Sequence, residues 1–90
     1  MTKERAHEIA SIHATLEMGT VSWYALADGR NLHIQTLEEP SYFDDTDYVT
    51  YVDTEDDDGD CIETHTTKPN DVENIAFWVY EMCYNVEEAN

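Results

Sequence analysis

The sequence predicts an α/β (α+β) domain of order α-β-β-β-β-α, a two-layer sandwich with an antiparallel sheet and two helices on one of its faces. Three observations predict it. Apolar residues recur at helical spacing near both ends of the chain, Asp28-Gly29 supplies a hairpin signal, and two further β-rich runs lie between that hairpin and the last helix. Ninety residues are expected to form one domain, 1–90, with a modest core and a narrow stability margin.

Residues 3–18 read as an amphipathic helix. Thr2 is the expected N-cap, and Glu4 falls in the first turn near the positive end of the helix dipole. Ile9, Ile12, His13 and Leu16 form its apolar stripe with Ala6 and Ala10, and Gly19 stands where a helix ends in a left-handed residue. Residues 20–37 read as a β-hairpin about a two-residue type I′ turn at Asp28-Gly29. That register pairs Ala25 with Leu32, Trp23 with Ile34 and Val21 with Thr36 on one face. It leaves Tyr24 against His33 and Ser22 against Gln35 on the other.

Residues 38–47 read as a loop containing Pro40, and the β-branched and aromatic run 48–52 as a third strand. A polar turn, 53–59, leads to a fourth strand over 60–66, with Ile62, Thr64 and Thr66 on one face and Cys61, Glu63 and His65 on the other. Residues 70–86 read as the second helix, opened by Pro69 and an Asn70/Glu73 capping box. Its broad stripe of Val72, Ile75, Ala76, Val79, Met82, Cys83 and Val86 supplies the largest part of the core, and Glu87 and Glu88 sit at its unfavourable negative end. The sheet face away from the helices is expected to be polar and open, carrying Tyr24, His33, Gln35, Tyr51, Glu63 and His65.

Composition limits the function. Twenty-one acids against four bases, Lys3, Arg5, Arg30 and Lys68, give a net charge of −17. Self-repulsion of this size favours solubility and opposes compaction. Direct contact with nucleic acid or an anionic membrane is not expected, and a basic protein surface is the natural partner. The start, MTKERAHE, has no apolar segment of a signal peptide, and no apolar run approaches a membrane span. Cys61 and Cys83 form neither a CxxC motif nor a disulfide framework, so a cytoplasmic chain with reduced thiols is expected, with a single bond between the two as the open alternative.

The charge concentrates between Glu38 and Asp60. This stretch holds eleven acids and no Lys or Arg: Glu38, Glu39, Asp44, Asp45, Asp47, Asp53, Glu55, Asp56, Asp57, Asp58 and Asp60. Such a run does not help a small domain fold, which points to a functional surface. Duplex DNA carries one charge per ~1.7 Å of axis, so the net charge of this chain equals that of roughly eight or nine base pairs. Same-face side chains repeat every ~6.6 Å along a strand and strands lie ~4.8 Å apart, so a sheet edge with flanking loops can hold carboxylates at phosphate-like density. Electrostatic complementarity would then give fast, salt-sensitive association. The interleaved aromatics Tyr42, Phe43, Tyr48 and Tyr51 divide between sheet core and partner contact, with Tyr42 and Tyr51 assigned to the partner.

In length, charge and its acidic runs, Glu38-Glu39, Asp44-Asp45-x-Asp47 and Asp53-x-Glu55-Asp56-Asp57-Asp58-x-Asp60, the chain resembles small phage-encoded DNA-mimic inhibitors of the anti-CRISPR and anti-restriction type. That class shares neither one fold nor one signature, so the resemblance implies a mode of action rather than residue roles. It implies a non-enzymatic inhibitor that occupies the DNA-binding groove of a host defence protein, a CRISPR-Cas effector or a restriction enzyme, in the host cytoplasm.

Other classes remain open on the residues. A small acidic interaction or regulatory module, monomeric or homodimeric through the open sheet face or the aromatics of the second helix, would use the charge for solubility or salt adaptation. A calcium loop fails at its first and last ligands, because aligning Gly59 to the sixth position puts Thr54 first and His65 twelfth. His33 and His65 could share a sheet face with Cys61 and Glu63, but no zinc-ligand spacing supports a site. No catalytic constellation, metal or cofactor is assigned.

Overall fold

The computed structural model describes residues 1–40 and 46–89. The elements are α1 (Lys3–His13), β1 (Val21–Ala25), β2 (Asn31–Pro40), β3 (Thr46–Glu55), β4 (Cys61–Thr67) and α2 (Val72–Cys83). The four strands form one antiparallel sheet in the order β1-β2-β3-β4. The α-β-β-β-β-α order is the expected one. Both helices lie on one face, α1 over β1 and β2 and α2 over β3 and β4, as the His13 bonds to Ser22 and Thr36 and the stacking of Trp78 on His65 require.

The α1 helix starts where its cap dictates, with Thr2 Oγ1 accepting from the Arg5 amide at 3.0 Å. It ends five residues earlier than the apolar pattern suggests. Thr15 Oγ1 donates to the Ile12 carbonyl at 2.7 Å, and the chain tightens into three-residue bonds, Thr15 N to Ile12 O and Leu16 N to His13 O. The buried face is therefore Ala6, Ile9, Ala10 and His13, and Ile12 is exposed. The α2 helix also starts later than expected. Asp71 is the cap, accepting from the Asn74 amide, and Asn70 precedes it with a left-handed φ of 57°. Glu87 and Glu88 lie beyond the helix. Their segment runs along the hairpin, with Ala27 N donating to Glu87 O and Ala89 N to Ala25 O, both at 2.8 Å. Arg5 grips Glu88 with two hydrogen bonds of 2.7 and 2.9 Å, so this carboxylate stabilises rather than strains the helix end.

The first hairpin corrects the expected register by one residue. Its loop is Ala27-Asp28-Gly29, closed by Leu26 N to Arg30 O and Gly29 N to Leu26 O, with Gly29 at φ 94°. This is a three-residue loop, a type I turn followed by a left-handed glycine, and not a two-residue type I′ turn. Trp23 accordingly faces His33, Tyr24 faces Leu32 and Ser22 faces Ile34. A slip of one residue exchanges the faces. Ser22 and Tyr24 turn inward, while Val21 and Trp23 turn to solvent with Trp23 52% exposed.

The β2–β3 ladder extends ten residues on each strand, from Asn31 opposite Glu55 to Pro40 opposite Thr46. The expected loop over 38–47 is thus largely strand at both flanks. Asp and Glu are poor strand formers, so local propensity ends the strands too early. The core gathers Ile9 and Ala10 of α1, Leu32 and Ile34 of β2, Val52 of β3, and Ile75, Val79, Met82 and Cys83 of α2. Beside it runs a buried polar chain in which Ser22 Oγ meets His13 Nδ1 at 2.7 Å, His13 Nε2 meets Thr36 Oγ1 at 3.0 Å, and Thr36 meets Thr50 at 2.8 Å. Both cysteines are free thiols, Cys61 exposed and Cys83 buried, and burial pushes the Cys83 thiol up to about 11.

Candidate functional site

The acids of the run fall into three groups along the β2–β3 ribbon. At one end, Glu38 is opposite Tyr48 and Glu39 opposite Asp47. Toward the other end, Asp53 is opposite His33 and Glu55 opposite Asn31. Beyond them, Asp56, Asp57, Asp58 and Asp60 form the β3–β4 turn. The predicted site residues Tyr42, Asp44 and Asp45 lie outside the described residues. Nine strand steps at ~3.3 Å separate Asp47 from Asp56, so the two acidic ends stand about 30 Å apart. The described acids of the run occupy the two central strands and a turn, where a sheet edge had been expected.

The turn repeats the chemistry of the first hairpin. Asp56 N donates to Asp60 O and Gly59 N to Asp56 O, with Gly59 at φ 84°. Asp56 Oδ1 accepts from the amides of Asp58 and Asp60 at 3.0 and 2.9 Å, so Asp56 builds the turn. Asp57, Asp58 and Asp60 are left exposed. Glu38 and Tyr48 are also exposed.

The bases are spent elsewhere. Arg5 binds Glu8 and Glu88, Arg30 binds Asp28 and the Met82 carbonyl, and Lys3 lies 5.4 Å over the Tyr80 ring. Lys68 stands between β4 and α2. Among the described residues no Lys or Arg forms an ion pair with an acid of the run, and the neighbour of Asp53 across the ladder is His33, with Nδ1 3.4 Å from Oδ2. The acids of the run are therefore left without a Lys or Arg ion-pair partner among the described residues.

The open sheet face differs from expectation in content. His33, Gln35 and Tyr51 lie on it, as read from the sequence. Tyr24, Glu63 and His65 lie on the helix-facing side, where His65 stacks on Trp78 at 3.6 Å and meets Glu63 at 2.5 Å. His33 and His65 thus occupy opposite faces, which removes the zinc arrangement with Cys61 and Glu63. In its place the open face carries a row across all four strands, Trp23, His33, Asp53 and Thr64. Trp23 packs edge-on to His33 at 5.4 Å, His33 Nδ1 lies 3.4 Å from Asp53 Oδ2, and Thr64 Oγ1 donates to Asp53 Oδ1. Burial raises the Asp53 carboxyl above the usual range, against the opposing pull of His33. Trp23 is the residue that sequence reasoning missed. The signal that could have found it is the Ala-Asp-Gly sequence, which fits a three-residue loop as well as Asp-Gly fits a two-residue one.

Elsewhere the chemistry is sparse. A groove between the helices, of about 340 Å³, is lined by Lys3, His7, Glu73, Ala76, Phe77 and Tyr80. The Ser22–His13 pair is buried, and no carboxylate among the described residues bonds His13. No described helix is long and apolar enough to cross a membrane. Comparison with protein-family models, with curated proteins and with solved structures finds no match to this chain.

Proposed function

We propose that the protein is a non-enzymatic DNA mimic whose acidic ribbon occupies the DNA-binding groove of a basic protein, of the host-defence class that its composition resembles. The observation that carries this reading is the segregation of charge. Acids extend about 30 Å along β2, β3 and the following turn, and every Lys or Arg ion pair among the described residues is made with an acid outside this run. That length corresponds to about nine base pairs at ~3.4 Å each along one strand. Strand pairing and the closed turn pre-order the backbone that carries the carboxylates, so binding orders little main chain. Glu38, Glu39, Asp57, Asp58 and Asp60 meet the partner phosphate-like, with Tyr51 on the open face and Tyr48 on the other side of the ribbon as aromatic contacts.

A second reading has its own observation. Val21, Trp23 and Ile62 are exposed large apolar side chains on strands β1 and β4. An interaction module docking through this face would depend on them and treat the charge as solubility. The two readings separate in one comparison on the captured partner. Mimicry predicts that Glu38→Lys/Glu39→Lys/Asp57→Lys/Asp58→Lys abolishes binding while Trp23→Ala weakens it little. The interaction module predicts the reverse.

A further inference from the structure

We propose that His33, Asp53 and Glu55 form a binding site for a divalent first-row transition ion on the open face of the sheet. The proposal does not rest on the DNA-mimic reading. Backbone register brings the three together. His33 stands directly opposite Asp53 across the β2–β3 ladder, and Glu55 follows Asp53 by two residues, hence on the same face. One ligand atom from each lies within 4.8 Å of the others. Donors bound to one ion at ~2.0–2.2 Å stand about 3–4 Å apart, so side-chain torsions alone close the set.

The second observation is the state of His33. Its Nδ1 is buried and has no hydrogen-bond partner among the described residues. Asp53 Oδ2, 3.4 Å away, makes no hydrogen bond with it. Buried ring nitrogens are ordinarily partnered, and this unpartnered one lies beside two carboxylates, where in the tautomer protonated at Nε2 it would offer a lone pair to an ion. The surroundings fix the donors. Trp23 packs edge-on against the imidazole, and Thr64 Oγ1 holds Asp53 Oδ1, leaving Oδ2 toward His33. Such outer contacts orient ligands in metal sites.

The donor chemistry selects the ion. One imidazole nitrogen and two carboxylate oxygens suit Zn²⁺ or its first-row neighbours better than Ca²⁺ or Mg²⁺, which prefer all-oxygen cages. Three protein ligands leave a coordination position for water or for a group from a bound partner. The nearby carboxylates of Asp56, Asp58 and Asp60 also lie within 4.8 Å of one another, but they carry no imidazole and Asp56 is engaged by its own turn. They serve as the control.

The test is calorimetric titration of the full chain with Zn²⁺ at neutral pH, repeated with Mg²⁺, and with ring-proton NMR of the histidines followed in parallel. The expected result is saturable one-to-one Zn²⁺ binding, weakened roughly tenfold or more in His33→Asn and in Glu55→Gln. Asp58→Asn/Asp60→Asn should bind as the parent does. The His33 ring signals should move in step with occupancy while those of His13 stay in place. Circular dichroism of each variant separates loss of ligand from loss of fold, and Glu55→Gln, which is nearly isosteric, keeps the test valid should His33→Asn unfold. Equal affinity in parent and Glu55→Gln, loss of binding in the turn variant instead, an unmoved His33, or absence of saturable binding would each overturn the proposal.

Discussion

His13 shows how one side chain can join two layers. It sits on the buried stripe of α1 at apolar spacing, and its two ring nitrogens reach Ser22 on β1 and Thr36 on β2. Burial first, and neighbouring His33 second, hold its imidazole below the ordinary 6.5. The folded state therefore prefers the neutral ring more strongly than the unfolded chain does. This contribution is full above pH 6.5 and is lost as pH falls through the lowered folded value. Chemical denaturation between pH 7.5 and about pH 5 should show declining stability, and His13→Gln should flatten that decline. The sequence revealed the stripe position but not its partners, because Ser22 and Thr36 meet the helix only through the sheet register. A second residue-scale prediction concerns Arg5 and Glu88, which are 83 positions apart and form a two-bond pair near the surface. The Arg5 guanidinium holds the Glu88 carboxyl below its usual range. Glu88→Gln should lower stability by about 0.5–1 kcal/mol in urea titration at neutral pH, with the difference disappearing in acid as the parent carboxylate takes up a proton.

At the scale of elements, two hairpins are closed by the same device, Ala27-Asp28-Gly29 and Asp57-Asp58-Gly59. In both, an Asp carboxylate near the turn accepts backbone amides and a glycine takes the left-handed position. Gly59 has open space where a Cβ would go, so a substitution there meets backbone strain alone. Gly59→Ala should cost about 1–2 kcal/mol in thermal unfolding, and Gly59→Asn less, since Asn tolerates this conformation. The α2 cap offers a parallel test: Asp71→Ala should cost ~1 kcal/mol in the same measurement, because the Asn74 amide loses its acceptor. Helix and strand order was legible from apolar spacing, β-branched runs and turn residues. Register was not. Asp-Gly marks a hairpin without stating whether two or three residues form its loop, and that single residue decided that Trp23 lies on the open face. Strand length was also hidden, since Glu38, Glu39 and Asp47 have weak strand propensity and are held by the ladder across from them. The candidate metal ligands were likewise visible only as residues of the acidic run and one histidine, because their meeting depends on the β2–β3 pairing.

For the whole molecule, charge is the governing quantity. A net charge of −17 on 90 residues opposes compaction, and the four bases relieve it mainly around α1 and the first hairpin. Thermal stability should therefore rise when salt is increased from low to physiological concentration, where the screening length falls to ~8 Å. Glu38→Lys/Glu39→Lys/Asp57→Lys/Asp58→Lys should be more stable than the parent at low salt, because Glu38, Asp57 and Asp58 are exposed and Glu39 half-buried, each lies among other acids, and none of the four side chains makes a described structural bond. Gain of stability with loss of binding is the signature of a surface kept for a partner. The acidic run itself was plain in the sequence, as was its lack of bases; its distribution along two central strands and a turn came from long-range pairing. The most direct measurement of the mimicry claim is capture of host proteins on the immobilised parent chain and on the four-site reversal, at low and high salt, with duplex DNA as competitor. Mimicry predicts that the parent retains one basic DNA-binding protein or complex, releases it with salt and with DNA, and that the reversal retains none of it. Capture that resists salt and DNA, or that survives the four-site reversal in a folded protein, would contradict it.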